Sequence, residues 1–336
     1  MGKVQPSRIR LEASSFCQLR CPTCSTTERR IDAVIGKGFL RFEDFRRLID
    51  LNPWIKVIEL SNYGEVFLNP HLPRILEYAH RKGVSLTLAN GVNLNTATDE
   101  MLEGLVKYNV STVNCSIDGA SPETYRKYRV RGDFNTVIAN IERINYYKQV
   151  YRSEFPRLDW QFIVFGHNEH EIPIAREMAR KLGMTFRTKI SWDANISPIH
   201  DPAFVRAETG ETAVTREEYE RIHGEPYLKV ICHQLWVEPQ INWDGKVLGC
   251  CVNYWGDFGG NAFKDGLVKS LNNEKIAHAR DMLLGEKPAQ DDIPCSTCKF
   301  YYWMRDNSQW VTRNSLRNHA MYLLALHRTA GRPTSA

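Results

Sequence analysis

An α/β fold built on a parallel sheet is predicted for this chain, and three observations carry the prediction. Short runs of apolar and β-branched residues recur through the first part of the chain. Longer segments of helical period separate them. Each separation is long enough for a right-handed crossover between parallel strands. Pattern alone allows an open doubly wound sheet or a barrel, complete or partial. In either case, functional residues belong at the carboxyl ends of the strands.

Strands are predicted at Ile9–Ala13, Val57–Ser61, Val84–Ala89, Val110–Ile117, Leu158–Phe165 and Thr185–Ser191. Helical spacing covers Phe42–Leu51, Leu72–Arg81, Thr98–Tyr108, Asn135–Tyr147 and Glu169–Leu182. After Ser191 the texture changes. A polar stretch runs from Trp192 to about Gly224, with Pro198, Pro202 and Gly210, and one helix is expected after Thr215. Leu235–Trp243 and Lys246–Cys251 flank Asp244-Gly245, which reads as a β-hairpin around a type I′ turn. A helix near Glu274–Leu284 leads to a loop carrying Cys295 and Cys298, and a last helix, about Trp310–Arg328, precedes the tail 331–336. The expected units are residues 1–224 (with 192–224 as a connecting loop or lid), 225–300 and 301–336.

Composition narrows the function. The chain has 336 residues, 43% hydrophobic and 25% charged, which excludes disorder, collagen and coiled coil as overall descriptions. The 44 basic and 39 acidic residues leave +5, too mild an excess to argue for nucleic acid. No apolar run approaches the length of a membrane span, and the start MGKVQPSRIRLE has neither a secretory apolar core nor a myristoylation pattern. A cytoplasmic protein is expected.

Nine cysteines are many for a reducing compartment, and they are grouped rather than scattered. Cys17, Cys21 and Cys24 form C-x3-C-x2-C directly after the first strand. Three close thiolates suit iron–sulfur or zinc, but zinc wants a fourth protein ligand and none is adjacent. Three ligands on a four-iron cluster leave one iron open, a catalytic arrangement. Cys232, Gly245 and Cys250 follow C-x12-G-x4-C, and Cys295-x2-Cys298 completes a second set of four. Four thiolates saturate either a zinc ion or a [4Fe–4S] cluster, and chemistry alone favours zinc. Cys115 and Cys251 are left over as packing residues.

The first motif resembles that of the radical S-adenosylmethionine (SAM) superfamily, and other segments fall in the family's order. Tyr63-Gly64-Glu65 after the second strand resembles the Gly-Gly-Glu element, whose acid receives the SAM amino group; Tyr63 replaces the first glycine. Asn90-Gly91 after the third strand resembles the usual Thr-Asn-Gly. Ser116-Ile117-Asp118-Gly119, with Arg129 further on, resembles the Ser-x-Asp-Gly segment of the SPASM/twitch branch. The resemblance covers Ile9 to about Lys299. It implies a partial (β/α)6 TIM-like barrel followed by a small cysteine-rich twitch domain (a hairpin plus a helix) and a terminal helix. It also implies that Ser116 and Asp118 face SAM and that Arg129 pairs the SAM carboxylate. Thr23 departs from the aromatic often found before the third cysteine.

What the resemblance implies for chemistry follows. A reduced [4Fe–4S] cluster on Cys17, Cys21 and Cys24 cleaves SAM to a 5′-deoxyadenosyl radical, which abstracts a substrate hydrogen. It also reverses the preference for zinc at the second set: Cys232, Cys250, Cys295 and Cys298 match the twitch version, which holds one auxiliary [4Fe–4S] cluster, whereas the longer SPASM version needs seven cysteines there. A saturated cluster suits electron transfer, so the leading reading is an oxidoreductase acting on a small polar, sugar- or aminocyclitol-like molecule. Cys17 comes too early for the peptide-recognition domain many peptide-modifying members carry, although a peptide maturase or a redox-neutral epimerase stays open. A reductant such as flavodoxin or ferredoxin is implied, and a non-catalytic zinc protein is the reading from another class. His167 and Asp193, at the ends of the fifth and sixth strands, are candidates for the proton acceptor. Lys189 and Arg187 are candidates for an anionic substrate or for the barrel wall.

Overall fold

The computed structural model describes residues 3–329. Its first strand, β1 (Arg8–Leu11), shows the rule that organises the sheet: Ile9 and Leu11 are fully buried among the helices, while Arg10 and then Glu12 turn to the opposite face. The strands β2 (Val57–Glu59), β3 (Ser85–Val92), β4 (Thr112–Ser116), β5 (Arg157–Val164) and β6 (Thr185–Ile190) follow in parallel. All six predicted strands are present, each within a few residues of its expected bounds.

The two short strands β7 (Gln240–Ile241) and β8 (Val247–Gly249) join the other edge, giving the order β6-β5-β4-β3-β2-β1-β7-β8. β7 runs parallel to β1, with Arg10 opposite Gln240, and β8 runs antiparallel to β7. The expected hairpin therefore extends the main sheet. β6 and β8 are the two ends of this order, so the wall is an open, partial barrel.

Helices α1 (Phe42–Leu51), α2 (Leu72–Arg81), α3 (Asp99–Lys107), α4 (Pro122–Tyr128), α5 (Phe134–Tyr151) and α6 (Ile172–Lys181) form the crossovers. α1 and α2 have the predicted bounds. Thr98, Ser121 and Asp133 cap α3, α4 and α5 by accepting backbone N–H bonds from Met101, Thr124 and Thr136. Then come α7 (Pro202–Thr209), α8 (Arg216–His223), α9 (Gln234–Val237), α10 (Leu267–Ser270), α11 (Glu274–Leu283), α12 (Lys299–Asp306) and α13 (Arg313–Thr329).

Three expectations are corrected. The polar stretch holds two helices, not one, because Asp201-Pro202 starts α7 with its own cap on Phe204 N. Residues 234–237 are helical rather than the first part of a strand. The hairpin turn is not type I′: Gly245 N donates to Asn242 O at 2.9 Å and, of Asp244 and Gly245, only Gly245 has positive φ, at 92°. That is a three-residue loop whose glycine supplies the left-handed position. The terminal helix packs on the Cys232 segment through Leu316 and Ser315, whose hydroxyl lies 3.2 Å from His233 Nε2.

The face opposite the helices is polar. Arg10, Glu59 and Thr87 stand side by side in register across β1–β3, and Asn114, Ser116 and Gln161 continue the face on β4 and β5. A barrel interior of this size is usually filled by branched apolar side chains. Here the inner face is lined by polar side chains hydrogen-bonded to one another. The apolar layer on the other face is continuous, and Trp160, fully buried there, donates Nε1–H to Ile117 O at 2.8 Å. Trp160→Phe should cost about 1–3 kcal/mol by leaving that carbonyl unpaired, read as a lower urea midpoint at unchanged m.

Candidate functional site

The loop after β1 carries Cys17, Cys21 and Cys24, and the loop after β2 is locked against it. Glu65 N donates to Phe16 O at 2.7 Å, and Tyr63 N and Gly64 N donate to the Glu12 carboxylate at 3.0–3.2 Å. A Cβ at Gly64 would lie 2.2 Å from Ser14 O and 2.6 Å from Phe16 O, so only glycine allows this approach. The Glu65 side chain is buried and accepts N–H bonds from Phe67 at 3.3 Å and Asn93 at 2.8 Å. Asn93 in turn reaches Cys17 Sγ at 3.9 Å and accepts from Gln18 Nε2 at 2.8 Å.

Arg129 closes the opposite side. Its Nε donates to Asp118 Oδ2 at 2.6 Å and its Nη1 lies 3.8 Å from Cys21 Sγ. Asp118 is fully buried, with Oδ1 accepting Ile163 N at 2.7 Å. Both carboxylate oxygens are thus engaged within the chain, and Asp118 holds Arg129 in place. Ser116 accepts from Gln161 Nε2 at 3.4 Å and sits against Gly91, where a Cβ would meet its Oγ at 2.4 Å. Asn90 Nδ2 donates to Asn62 Oδ1 at 2.8 Å, and Tyr63 O accepts from Thr26 Oγ1 at 2.6 Å.

Burial dominates the electrostatics. It pushes Cys17 up to about 12, with the Glu65 charge adding to it, and raises Cys21 against the pull of Arg129. Glu65 is pushed up to about 7 and Glu12 to about 8, in each case by burial against two backbone N–H donors. Thiols raised this far stay protonated near neutrality unless a cation shares their surroundings, which is how a metal claims them.

The second set also comes together. Cys232, Cys250, Cys295 and Cys298 line one cavity, walled by apolar side chains such as Leu235, Phe258, Leu283 and Phe300. Burial raises all four, and each of Cys232, Cys250 and Cys295 is raised further by the charges of others in the set. All nine cysteines are free thiols. Among the described residues, no three His, Cys, Asp or Glu side chains are gathered tightly enough to hold a single metal ion. The cavity is tied to the first site: Asn62 Nδ2 donates to Cys251 O at 3.1 Å, and Tyr63 OH donates to Asn253 O at 2.7 Å.

Two further predicted residues lie on the loops after β5 and β6. His167 stacks on Phe165 and has Lys127, Glu171 and His170 as its charged neighbours, which sets it against α4 and the start of α6. Asp193 accepts Asn195 N at 2.9 Å in a local turn. Conversely, Glu12, Glu59, Asn93 and Gln161 were missed. The available signal was the alternation in Arg-Ile-Arg-Leu-Glu and Val-Ile-Glu, unusual for buried parallel strands, which normally read as continuous apolar runs.

Residues 11–173 match the family model described as the radical SAM superfamily. The family implies SAM and at least one [4Fe–4S] cluster. Among curated proteins, the chain is similar to an AdoMet-dependent heme synthase of Methanosarcina barkeri, 29% identical over 181 residues, covering 53% of this chain and 48% of that one. It is also similar to a GTP 3′,8-cyclase of Desulforamulus reducens, 28% identical over 141 residues, covering 40% of this chain and 41% of the other. The chain spans about half the length of these relatives or less. In fold it resembles Streptococcus suis SuiB bound to S-adenosylmethionine, with TM-score 0.61 and 12% identity over 88% of this chain and 71% of that one. It also resembles anSMEcpe with bound AdoMet, with TM-score 0.54 and 14% identity over 97% and 100%.

The residues present fit such a cluster: three free thiols on one loop, Cys21 buried and Cys17 and Cys24 partly so, with Asn93 and Arg129 offering N–H groups toward two of the sulfurs. Gly64→Ala should force the two loops apart, costing about 1–3 kcal/mol and lowering iron bound per chain, checked by thermal melting and iron assay. Glu12 provides a pH signature of the metal-free chain. Its folded value, about 8 against 4.5 unfolded, means the folded state holds the proton more tightly. That contribution is full below pH 4.5 and is lost as pH rises to about 8. Glu12→Gln should therefore flatten the fall in urea stability across that window.

Proposed function

We propose that this chain is a radical SAM oxidoreductase that uses an auxiliary [4Fe–4S] cluster and acts on a small polar substrate in a chamber bounded by the polar inner face. The observation that carries the reading is the common cavity of Cys232, Cys250, Cys295 and Cys298, hydrogen-bonded through Asn62 and Tyr63 to the loop of Glu65. A zinc ion draws four sulfurs to about 2.3 Å from one centre. Four thiols on one apolar-walled cavity would saturate either that ion or a [4Fe–4S] cluster, and the resemblance to the twitch arrangement favours the cluster.

In this reading Cys17, Cys21 and Cys24 hold the SAM cluster and the other four cysteines hold the auxiliary one. When bound, the pair supplies one-electron chemistry: reductive cleavage of SAM at the first and removal of an electron from the substrate at the second. The chain does the rest. Tyr63, Gly64 and Glu65 form the wall that receives the SAM amino group. Arg129, held by Asp118, meets its carboxylate, and Ser116 and Asn90 border the chamber. The apolar walls of the second cavity exclude water. A low-potential carrier such as flavodoxin or ferredoxin supplies electrons.

The test is iron, sulfide and zinc per chain after anaerobic reconstitution, with 5′-deoxyadenosine release assayed on the same sample. About eight irons are expected, the sum of two [4Fe–4S] clusters. The C17A/C21A/C24A variant should keep roughly half the iron and release no 5′-deoxyadenosine. About four irons with one zinc would remove the auxiliary redox path.

A further inference from the structure

The charges lining the chamber do not balance. Arg10 is paired with Glu238, Arg129 with Asp118 and Arg187 with Asp159. The chamber's carboxylates are likewise committed. Glu59 accepts from Ser61, Thr87 and Ala89, and Glu12 from Tyr63 and Gly64. Of the charged side chains on the strands, Lys189 is the exception. It stands at the carboxyl end of β6, in register with Ile163 and on the face of Gln161, level with Asp118. Among the described residues its ammonium has one hydrogen-bond partner, Gln161 Oε1 at 3.4 Å, and no carboxylate lies within ion-pair distance.

We propose that Lys189, oriented by Gln161, binds a carboxylate or phosphate group of the substrate at the mouth of the chamber. The assignment rests on the reading of the chamber as the substrate site and gives that substrate an anionic group.

The surroundings agree with it. Burial lowers the Lys189 ammonium; the neighbouring cations Arg216 and Arg129 lower it too, while the Cys251 thiol and Asp118 pull the other way. Arg216 is itself buried beside Trp192; it donates to the carbonyls of Ser191 at 2.9 Å and Ile190 at 3.2 Å and has no carboxylate partner. The end of β6 therefore brings together two cations, neither of which has a carboxylate in ion-pair contact among the described residues. Retaining an unpaired buried cation is costly unless something supplies the counter-charge. Gln161 also donates to Ser116 on the neighbouring strand, so an anion on Lys189 would be seated beside the region assigned to SAM.

The test reads the lysine itself. On the reconstituted full chain, acylation of Lys189 by a small amine reagent would be followed by peptide mass spectrometry, with exposed Lys181 as internal standard. The probes are inorganic phosphate, succinate and SAM, each against chloride at equal ionic strength. Phosphate or succinate should slow Lys189 about tenfold at a concentration ten times its dissociation constant, by mass action, and leave Lys181 unchanged. Phosphate should also raise the melting temperature of the wild type and of Lys189→Arg but not of Lys189→Met. The proposal is overturned if neither dianion slows Lys189 more than chloride does, if Lys189→Met keeps the full phosphate shift, or if SAM alone gives the whole protection, which would assign the cation to the SAM carboxylate. Neither readout needs turnover. Protection in a chain that binds no iron would thus sink the cluster reading and leave the anion site standing.

Discussion

The hydrogen bond from Glu65 N to Phe16 O, 2.7 Å long, is the constraint on which the site depends. It exists because Gly64 has no Cβ to strike the Ser14 and Phe16 carbonyls. Through it, the flexible cysteine loop takes its position from the rigid end of β2 rather than from its own weak turns. The Glu65 side chain then passes the register on to β3 by way of Asn93, whose amide reaches Cys17. A loop carrying three thiols is thereby preorganised by two neighbouring strands.

A second design choice is the polar inner face. Burying Arg10, Glu12, Glu59 and Asp118 carries a desolvation cost that only complete networks offset. The network is nearly complete: Glu59 alone ties β2 to β3 through Thr87, Ala89 and Asn90. The inner face is thus organised by hydrogen bonds where an apolar barrel would interleave branched side chains. It can present fixed donors and acceptors to a small molecule without rearranging.

The fold was largely legible because its signals are local. Apolar runs, helical spacing and caps such as Thr98 and Ser121 sit next to one another in the chain, and so do the cysteine spacings. What was missed came from contacts between distant segments. Nothing near Asp118 announces that its oxygens belong to Arg129 and Ile163, and nothing near His167 says that it turns toward α4. The hairpin was found, but not its pairing with β1, since a two-residue strand carries little information about its neighbour. Burial of Glu12 and Asn93 is likewise a property of the packed sheet and of no single segment.

The pairing of β7 with β1 also sets the order in which this molecule can be made. Arg10 waits for Gln240, 230 positions later, so during synthesis β1 is an open sheet edge with unpaired backbone groups. The segment that matches the family model can assemble its strands while still lacking the partner that seals this edge. Long-range parallel pairing of this kind is slow to form and exposed to wrong partners. Cys232 and Cys250 flank the strands that form this seal, so two thiols of the second set are placed by the same pairing that closes the sheet edge.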